Sequence, residues 1–300
     1  MILAMTGATG FVGSHLLDAA LADGHRVSAL TRRPQPPRDG VTWVEGSLET
    51  PDALLALATG ADAVVHVAGA INARTRADFA AGNTAGTGAM LAAAQGAGVR
   101  RFVHVSSLAA REPALSDYGW SKAEAERLVE ASALDWTIVR PPAIFGPRDR
   151  ELLELFRLAR RRVVPLPPAG GRLSAIAVED LAALLLTLAT SQALVRAATE
   201  PDDGREGGWD HRDFARAIGA AMGVRALPLP LPRPLLEGVS ALDRAVRGTG
   251  AKLTADRVRY FCHADWTSHD RPPADVWTPA RDTPAALAAT AAWYRAAGWL

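Results

Sequence analysis

Residues Ile2-Leu3-Ala4-Met5-Thr6-Gly7-Ala8-Thr9-Gly10-Phe11-Val12-Gly13 carry four apolar side chains straight into a turn with a glycine at every third position. The apolar run predicts a short buried strand. The glycines predict a sharp turn, a close approach of backbone to ligand, and tight packing of the following helix on the strand. Free amides at the N-terminus of such a helix face an anion. The segment therefore predicts a seat for the pyrophosphate of a dinucleotide, built from Thr6, Gly7, Thr9, Gly10, Phe11, Val12 and Gly13. The glycine spacing alone is weak evidence; its place between a strand and a helix gives it force.

Outward from this turn, short apolar runs alternate with helical patterns. The strands are expected at Ile2–Met5, His25–Thr31, Val41–Glu45, Ala63–Val67, Arg101–Ser106 and Trp136–Arg140. Helices are expected at about Gly10–Ala22, Pro51–Ala58, Arg76–Ala97 and Asp117–Ala133. Strict alternation is the mark of βαβ units, and it predicts an α/β protein with a doubly wound parallel sheet of the Rossmann type. After Arg140-Pro141-Pro142 the pattern loosens into a helix near Glu151–Arg161, a strand near Arg172–Ile176 and a helix near Glu179–Ala189. The expected organisation is a dinucleotide-binding domain over 1–147, with 172–196 returning to it, and mainly a substrate-binding lobe over 148–300. Leu227 to Pro234, with proline at alternate positions, is expected to be extended, because those prolines withhold ladder and helix donors. An Ala-rich helix is expected from Pro284 to Leu300.

Composition narrows the function classes. With 300 residues, 49% of them hydrophobic and 22% charged, the chain is neither disordered nor fibrous. A net charge of +1 gives no global field for gathering a polyanion, so no nucleic-acid partner is expected. The single cysteine, Cys262, can form no intrachain disulfide. Together with His263, Asp265 and His269 it matches no zinc spacing, so no metal is expected. The longest apolar run, Leu181 to Ala189, falls far short of the ~20 residues a membrane span needs. No basic segment precedes the first apolar stretch, as a signal peptide would require. These features lead us to expect a soluble, cytoplasmic protein with a small-molecule substrate and no membrane partner.

Two further stretches carry chemistry. The second strand ends in Thr31-Arg32-Arg33, without the carboxylate that would bind ribose hydroxyls and repel a 2′-phosphate. Arg32 and Arg33 are placed to accept that phosphate, which favours NADP(H) over NAD(H). Tyr118-Gly119-Trp120-Ser121-Lys122 puts a phenol and an ammonium at i and i+4, on one helix face. A cation there stabilises phenolate and is expected to lower the phenol pKa from ~10, suiting Tyr118 to acid–base work. Ser106 and Ser107 end the fifth strand at the carboxyl edge, where open α/β sheets bind ligands. Ser107 is assigned to hold a carbonyl oxygen or alkoxide, and Ser106 to pack or cap the strand end. His66 and His104 are expected as satisfied interior histidines, Arg148 and Arg150 as substrate anchors, and Trp209, Phe261, Trp266 and Trp277 first of all as core.

The set Thr6-Gly7-x-x-Gly10-x-x-Gly13, Val67-Ala68-Gly69, Asn83-x-x-Gly86-Thr87, Val105-Ser106-Ser107, Tyr118-x-x-x-Lys122 and Arg140-Pro141-Pro142-x-x-Phe145-Gly146-Pro147 resembles the short-chain dehydrogenase/reductase superfamily. The likeness is to its extended branch, with the NAD-dependent epimerase/dehydratases, and Val178-Glu179-Asp180-Leu181 resembles a later landmark of that branch. The resemblance implies that Ser107 polarises a carbonyl, Tyr118 gives or takes the proton, and Lys122 tunes Tyr118 and binds the nicotinamide ribose. It also implies that Ala68, Gly69, Pro141, Pro142 and Ile144 lie along the nucleotide, that Asn83 sets helix geometry rather than relaying a proton, and that two copies could pair through the long middle helices. The implied activity is an NAD(P)(H)-dependent interconversion of a carbonyl and a secondary alcohol on a small organic substrate. Two alternatives stand beside it: a sugar-nucleotide epimerase or dehydratase with retained NAD, and a non-catalytic NADP(H)-binding subunit or sensor. Thr31 and Ser47 depart from the pattern, since the family often carries acidic residues there, and both departures weigh against NAD.

Overall fold

The computed structural model describes residues 1–248 and 253–300. In chain order its strands are β1 (Ile2–Thr6), β2 (Arg26–Thr31), β3 (Val41–Glu45), β4 (Ala63–His66), β5 (Arg101–Val105), β6 (Asp135–Val139), β7 (Ala143–Phe145), β8 (Val163–Leu166), β9 (Arg172–Leu173), β10 (Ala175–Ala177), β11 (Ala197–Thr199), β12 (Trp209–Asp210), β13 (Leu227–Pro230) and β14 (Asp265–Trp266). The helices are α1 (Phe11–Ala22), α2 (Pro51–Ala58), α3 (Arg76–Phe79), α4 (Gly86–Gly96), α5 (Asp117–Ala131), α6 (Leu153–Arg160), α7 (Val178–Thr190), α8 (His211–Ala221), α9 (Arg233–Arg247), α10 (Ala255–Phe261) and α11 (Thr283–Ala296). Contacts divide the chain into two compact units: Met1–Pro141 with Leu181–Glu200 and Pro272–Thr278, and Pro142–Asp180 with Pro201–Arg271 and Pro279–Leu300. No helix among the described residues is long and apolar enough to cross a membrane.

The first unit holds a seven-stranded parallel sheet in the order β11-β6-β5-β4-β1-β2-β3. Every residue of β4 and β5 is buried, and apart from Arg101, His66 and His104 they are apolar, with no in-out alternation. The strand order reverses between β1 and β4. That is the switch point at which open α/β sheets leave a crevice beyond their carboxyl ends. One face of the sheet is sealed by Leu54, Leu57, Met90, Phe102 and Ile138. Each such side chain contributes roughly 1.5–3 kcal/mol on burial. The seventh strand, β11, is three residues long and escapes sequence reading because Ala197-Ala198-Thr199 has neither alternation nor bulk.

The stretch expected as one helix from Arg76 to Ala97 is two helices joined by a π-helical segment, Ala80–Ala85. Such a segment inserts extra backbone without breaking the helix, and it often marks a functional position.

The second unit has its own core, in which Phe145, Phe156 and Tyr294 are fully buried beside Phe214, Trp209 and Leu287. The single strand expected near Arg172–Ile176 is interrupted. Leu173 pairs with Trp209 and Trp266, whereas Ala175–Ala177 pairs with β7. The break falls at Ser174, whose hydroxyl donates to Asp202 at 2.7 Å and accepts from the Ser268 amide at 3.1 Å. The Pro-rich stretch is extended only as far as Pro232, since α9 begins at Arg233 with Pro234 in its first turn. Its prolines do not keep it out of a ladder either: β13 pairs with β8, because the prolines leave the amides of Leu227 and Leu231 free to donate to Arg162 and Leu166. Trp209 and Trp266 are buried as expected of core aromatics. Phe261 is instead exposed.

Candidate active site

The glycine turn after β1 is closed by backbone contacts that leave no room for side chains. Gly7 has a left-handed φ of 74°, and a Cβ there would stand 2.8 Å from the Ala68 amide nitrogen. At Gly13 a Cβ would come within 2.0 Å of the Gly7 carbonyl oxygen, so the helix rests directly on the turn. Gly10 is the N-cap of α1 and supplies no side-chain acceptor, which leaves the first amides of the helix for an external anion. Thr9 and Gly10 are exposed, and Phe11 and Val12 are half-buried. Thr6 is fully buried, and its hydroxyl is committed to His66 Nδ1 at 2.8 Å and to the Ala68 amide at 3.1 Å. It fastens the loop after β4 to the loop after β1. Uncapped amides beside a cradle that any Cβ would fill suit the pyrophosphate of a dinucleotide.

Beside this turn, Thr9, Thr31, Arg32, Arg33 and Gln35 line an open cavity of about 500 Å³. Thr31 is buried and fixes the strand end by donating to the Arg33 carbonyl at 2.6 Å. Arg32 and Arg33 are exposed. Neither pairs with a carboxylate among the described residues, Glu45 across from Thr31 on β3 included.

At the carboxyl end of β5, Ser107 caps a 3₁₀ turn over Leu108–Arg111, accepting from the Ala109 amide at 3.2 Å. Its hydroxyl lies close enough to the phenol of Tyr118 to pull the phenol pKa down. The two elements meet because α5 presses on this turn: a Cβ at Gly119 would lie 2.5 Å from the Ala109 carbonyl oxygen. Ser116 caps α5 by accepting from the Gly119 amide at 3.0 Å. Lys122, buried one helical turn past Tyr118, sends its ammonium to the Val105 carbonyl at 3.0 Å. Ser107, Tyr118 and Lys122 are thereby gathered at one strand end. Ser106 is buried, and its hydroxyl has no partner among the described residues.

Titration behaviour departs from the simple expectation for an adjacent cation. Burial pushes the Tyr118 phenol above its ordinary value, and the Ser107 hydrogen bond only partly opposes it. The Lys122 ammonium is directed at a backbone carbonyl, and burial brings it down to about 8 against the pull of Glu126. In the chain by itself, then, Lys122 does not lower the phenol pKa. Burial, followed by the Lys122 charge, also brings His66 to about 3 and His104 well below its usual range. Both imidazoles are neutral at physiological pH, stacked with ring centroids 5.6 Å apart. His66 is satisfied by Thr6 and Thr87, but neither ring nitrogen of His104 has a partner among the described residues, contrary to expectation.

Asn83 sits in the π-helical segment and ties three elements together. Its carbonyl accepts from the Ala70 amide at 2.7 Å, and its amide donates to the Ala70 carbonyl at 3.0 Å and to Ser121 at 2.8 Å. Ser121 in turn donates to the Tyr118 carbonyl at 2.8 Å. At Gly69 a Cβ would stand 2.7 Å from the Asn83 side-chain oxygen and 3.2 Å from Lys122 Nζ, so this loop runs directly against the lysine.

Sequence reading missed the charges beneath the site. Glu126 is buried and receives both arms of Arg140 at 2.9 and 2.6 Å, while Glu200 meets Arg111 at 2.9 Å and Arg140 at 3.6 Å. Its i+4 spacing from Lys122 was the available signal for Glu126. Pro141 belongs to this unit and accepts from the Leu108 amide at 3.2 Å. Pro142 and Ile144 belong to the second unit, where Ile144 pairs with Ile176. Arg148 holds a left-handed φ of 73°, and Arg150 lies over the Trp299 ring at 4.7 Å.

Comparison with known proteins adds three findings. The sequence model of a family described as NAD(P)H-binding matches residues 7–192. A ceramide reductase of Caulobacter vibrioides is 41% identical over 307 residues, covering 100% of this chain and 96% of that protein. Among solved structures, MoeE5 in complex with UDP-glucose and NAD shares the fold with a TM-score of 0.75 at 23% identity over 99% of both chains. The human epimerase family protein SDR39U1 with NADPH does so with a TM-score of 0.73 at 20% identity, over 97% of this chain and 99% of that one.

Proposed function

The chain belongs to the NAD(P)H-binding family and to the extended branch of the short-chain dehydrogenase/reductase superfamily, and on that premise we propose that it uses NADPH to reduce the ketone of a long-chain amide lipid of the ceramide class. It is an NAD(P)-dependent oxidoreductase. The substrate class comes from the full-length likeness to a ceramide reductase. A ceramide carries one secondary hydroxyl on its sphingoid base, which is the position a carbonyl–alcohol interconversion would address. The preference for NADPH rests on Arg32 and Arg33, which offer two unpaired guanidiniums to a 2′-phosphate.

The observation that carries the reaction class is the packing of α5 on the 3₁₀ turn that Ser107 caps, which brings Tyr118 and Ser107 to the same end of β5. A ketone oxygen seated there accepts hydrogen bonds from both hydroxyls. As charge builds on that oxygen, Tyr118 transfers its phenolic proton to it and Ser107 holds it in place. The raised phenol pKa keeps Tyr118 protonated beforehand. Lys122, its ammonium held on the Val105 carbonyl behind the site, is assigned to the nicotinamide ribose of the bound nucleotide rather than to the phenolate. Bound nucleotide, held by the turn at Gly7–Gly13 and by Arg32 and Arg33, supplies the hydride.

The test is consumption of NADPH with a ceramide whose secondary hydroxyl has been oxidised to a ketone, presented in detergent micelles. Tyr118→Phe is expected to lower turnover by roughly 10²–10⁴-fold while NADPH affinity stays within a few fold. Undiminished turnover in that variant would remove Tyr118 from the reaction. Protein that carries NAD through purification and returns its substrate epimerised would replace this reading with the sugar-nucleotide one.

A further inference from the structure

Helix α9 has its apolar side facing outward. The residues it turns toward the protein are Leu236, Ser240 and Asp243, of which Ser240 is buried and Asp243 accepts from the Leu253 amide at 3.0 Å. The residues it turns outward are Leu235, Val239, Leu242 and Val246, with exposures of 50%, 46%, 65% and 74%. Their i, i+4, i+7, i+11 spacing makes one continuous stripe. On one flank lie Gly238, Ala241 and Ala245, exposed and uncharged. Opposite the stripe lie the charged residues Arg233, Glu237 and Arg244, Arg233 and Glu237 being paired. In the strand just before, Leu227 and Leu229 are also exposed. Single exposed leucines are ordinary, but an uninterrupted apolar stripe along a surface helix marks a surface that something apolar covers.

Length and charge identify what covers it. Fifteen residues of helix measure about 22 Å, too short to cross a ~30 Å hydrocarbon core but of a form that lies in the plane of a membrane interface. Residues 225–261 hold seven basic side chains against three acidic ones, a net of +4 in a chain whose total is +1. Anionic headgroups complement that charge. A second copy would bring the same positive segment against itself, which like-charge repulsion disfavours. We propose that α9, with the strand leading into it, docks the protein onto anionic lipid bilayers, with Leu235, Val239, Leu242 and Val246 at the acyl boundary. The expectation of no membrane partner rested on the lack of a spanning segment, and an in-plane helix needs none. The docking stands on α9 and does not require the substrate to be a lipid.

The experiment is co-sedimentation of the full chain, without substrate or nucleotide, with vesicles of phosphatidylcholine alone and of phosphatidylcholine containing phosphatidylglycerol. Wild type is expected to sediment with the anionic vesicles and less with the neutral ones. Leu242→Glu combined with Val246→Glu is expected to lower that binding about tenfold or more, with circular dichroism and NADPH affinity unchanged. Absence of binding by wild type, or binding indifferent to the two substitutions, would overturn the proposal. So would a dimer in light scattering that the same substitutions convert to monomer while no vesicle is bound, because the stripe would then be a self-interface. Since the vesicles hold no ketone, loss of turnover with intact binding refutes the substrate reading alone, and loss of binding with intact turnover refutes the docking alone.

Discussion

Lys122 makes the folded chain's stability depend on pH in a direction and window that can be measured. Burial holds its ammonium near 8, while an unfolded chain restores the ordinary lysine value of about 10.5. Between these values the unfolded chain binds one more proton than the folded one, so folding stability rises with pH across the interval. The slope is about 1.4 kcal/mol per pH unit for a single group, and from about pH 8 to pH 9.5 the gain is about 2 kcal/mol. Other groups add their own pH dependence, Cys262 among them, whose thiol is pushed up by burial. The measurable quantity is therefore the difference between wild type and Lys122→Met in urea unfolding of nucleotide-free protein. Loss of the bond to Val105 shifts that difference by a constant and leaves its pH dependence intact. A wild-type-minus-variant stability that climbs by about 2 kcal/mol over the interval is the expected result. A flat difference would mean that Lys122 titrates alike in both states, and the account of a desolvated ammonium would be wrong.

Two further perturbations separate the parts of the nucleotide seat. Arg32→Ala removes a charged hydrogen-bonding partner of the 2′-phosphate, typically ~1.5–3 kcal/mol, so NADPH affinity is expected to fall roughly 10- to 100-fold and NADH affinity to hardly change. Equal losses in calorimetric titration of the two nucleotides would overturn the NADPH assignment. Gly13→Ala places a methyl 2.0 Å from the Gly7 carbonyl oxygen, which the backbone must move to relieve. Overpacking of this kind costs about 1–3 kcal/mol of stability, and both nucleotides should weaken together by about tenfold or more. Unchanged affinity for either would show that the turn does not hold the pyrophosphate.

What could be read from the sequence were the features set by residues close to one another along the chain. Strands β1 to β6 lie within a residue of their expected bounds, because short apolar-rich runs between turn residues mark strands even where burial is partial, as at the edge strand β3. The phosphate turn and the Tyr118–Lys122 spacing were equally plain. The features set from a distance were harder to read. Whether a helix contains a π-helical segment depends on what Asn83 must reach, and nothing between Arg76 and Ala97 states that the Ala70 backbone and Ser121 lie within its grasp. The change of sheet at Ser174 depends on Asp202 and on the Ser268 amide, far along the chain. His104 was expected to be satisfied because buried imidazoles usually are, and its missing partner shows only when neighbouring strands are in place. Helix α9 is a different case: the spacing of Leu235, Val239, Leu242 and Val246 was visible, but the prolines before it drew the reading toward extended chain.

The contacts that gather Ser107, Tyr118 and Lys122 are all short in sequence. Ser107 meets its tyrosine eleven positions away, and Lys122 reaches a carbonyl seventeen positions back. Gly119 rests on Ala109, ten positions earlier. These local contacts give the gathering of the three groups a low contact order, while Asn83, Arg140, Glu200 and the neighbouring strands brace the segment from farther along the chain. For the protein engineer, the local spacing from Ser107 to Lys122 is therefore the part of the site to leave untouched.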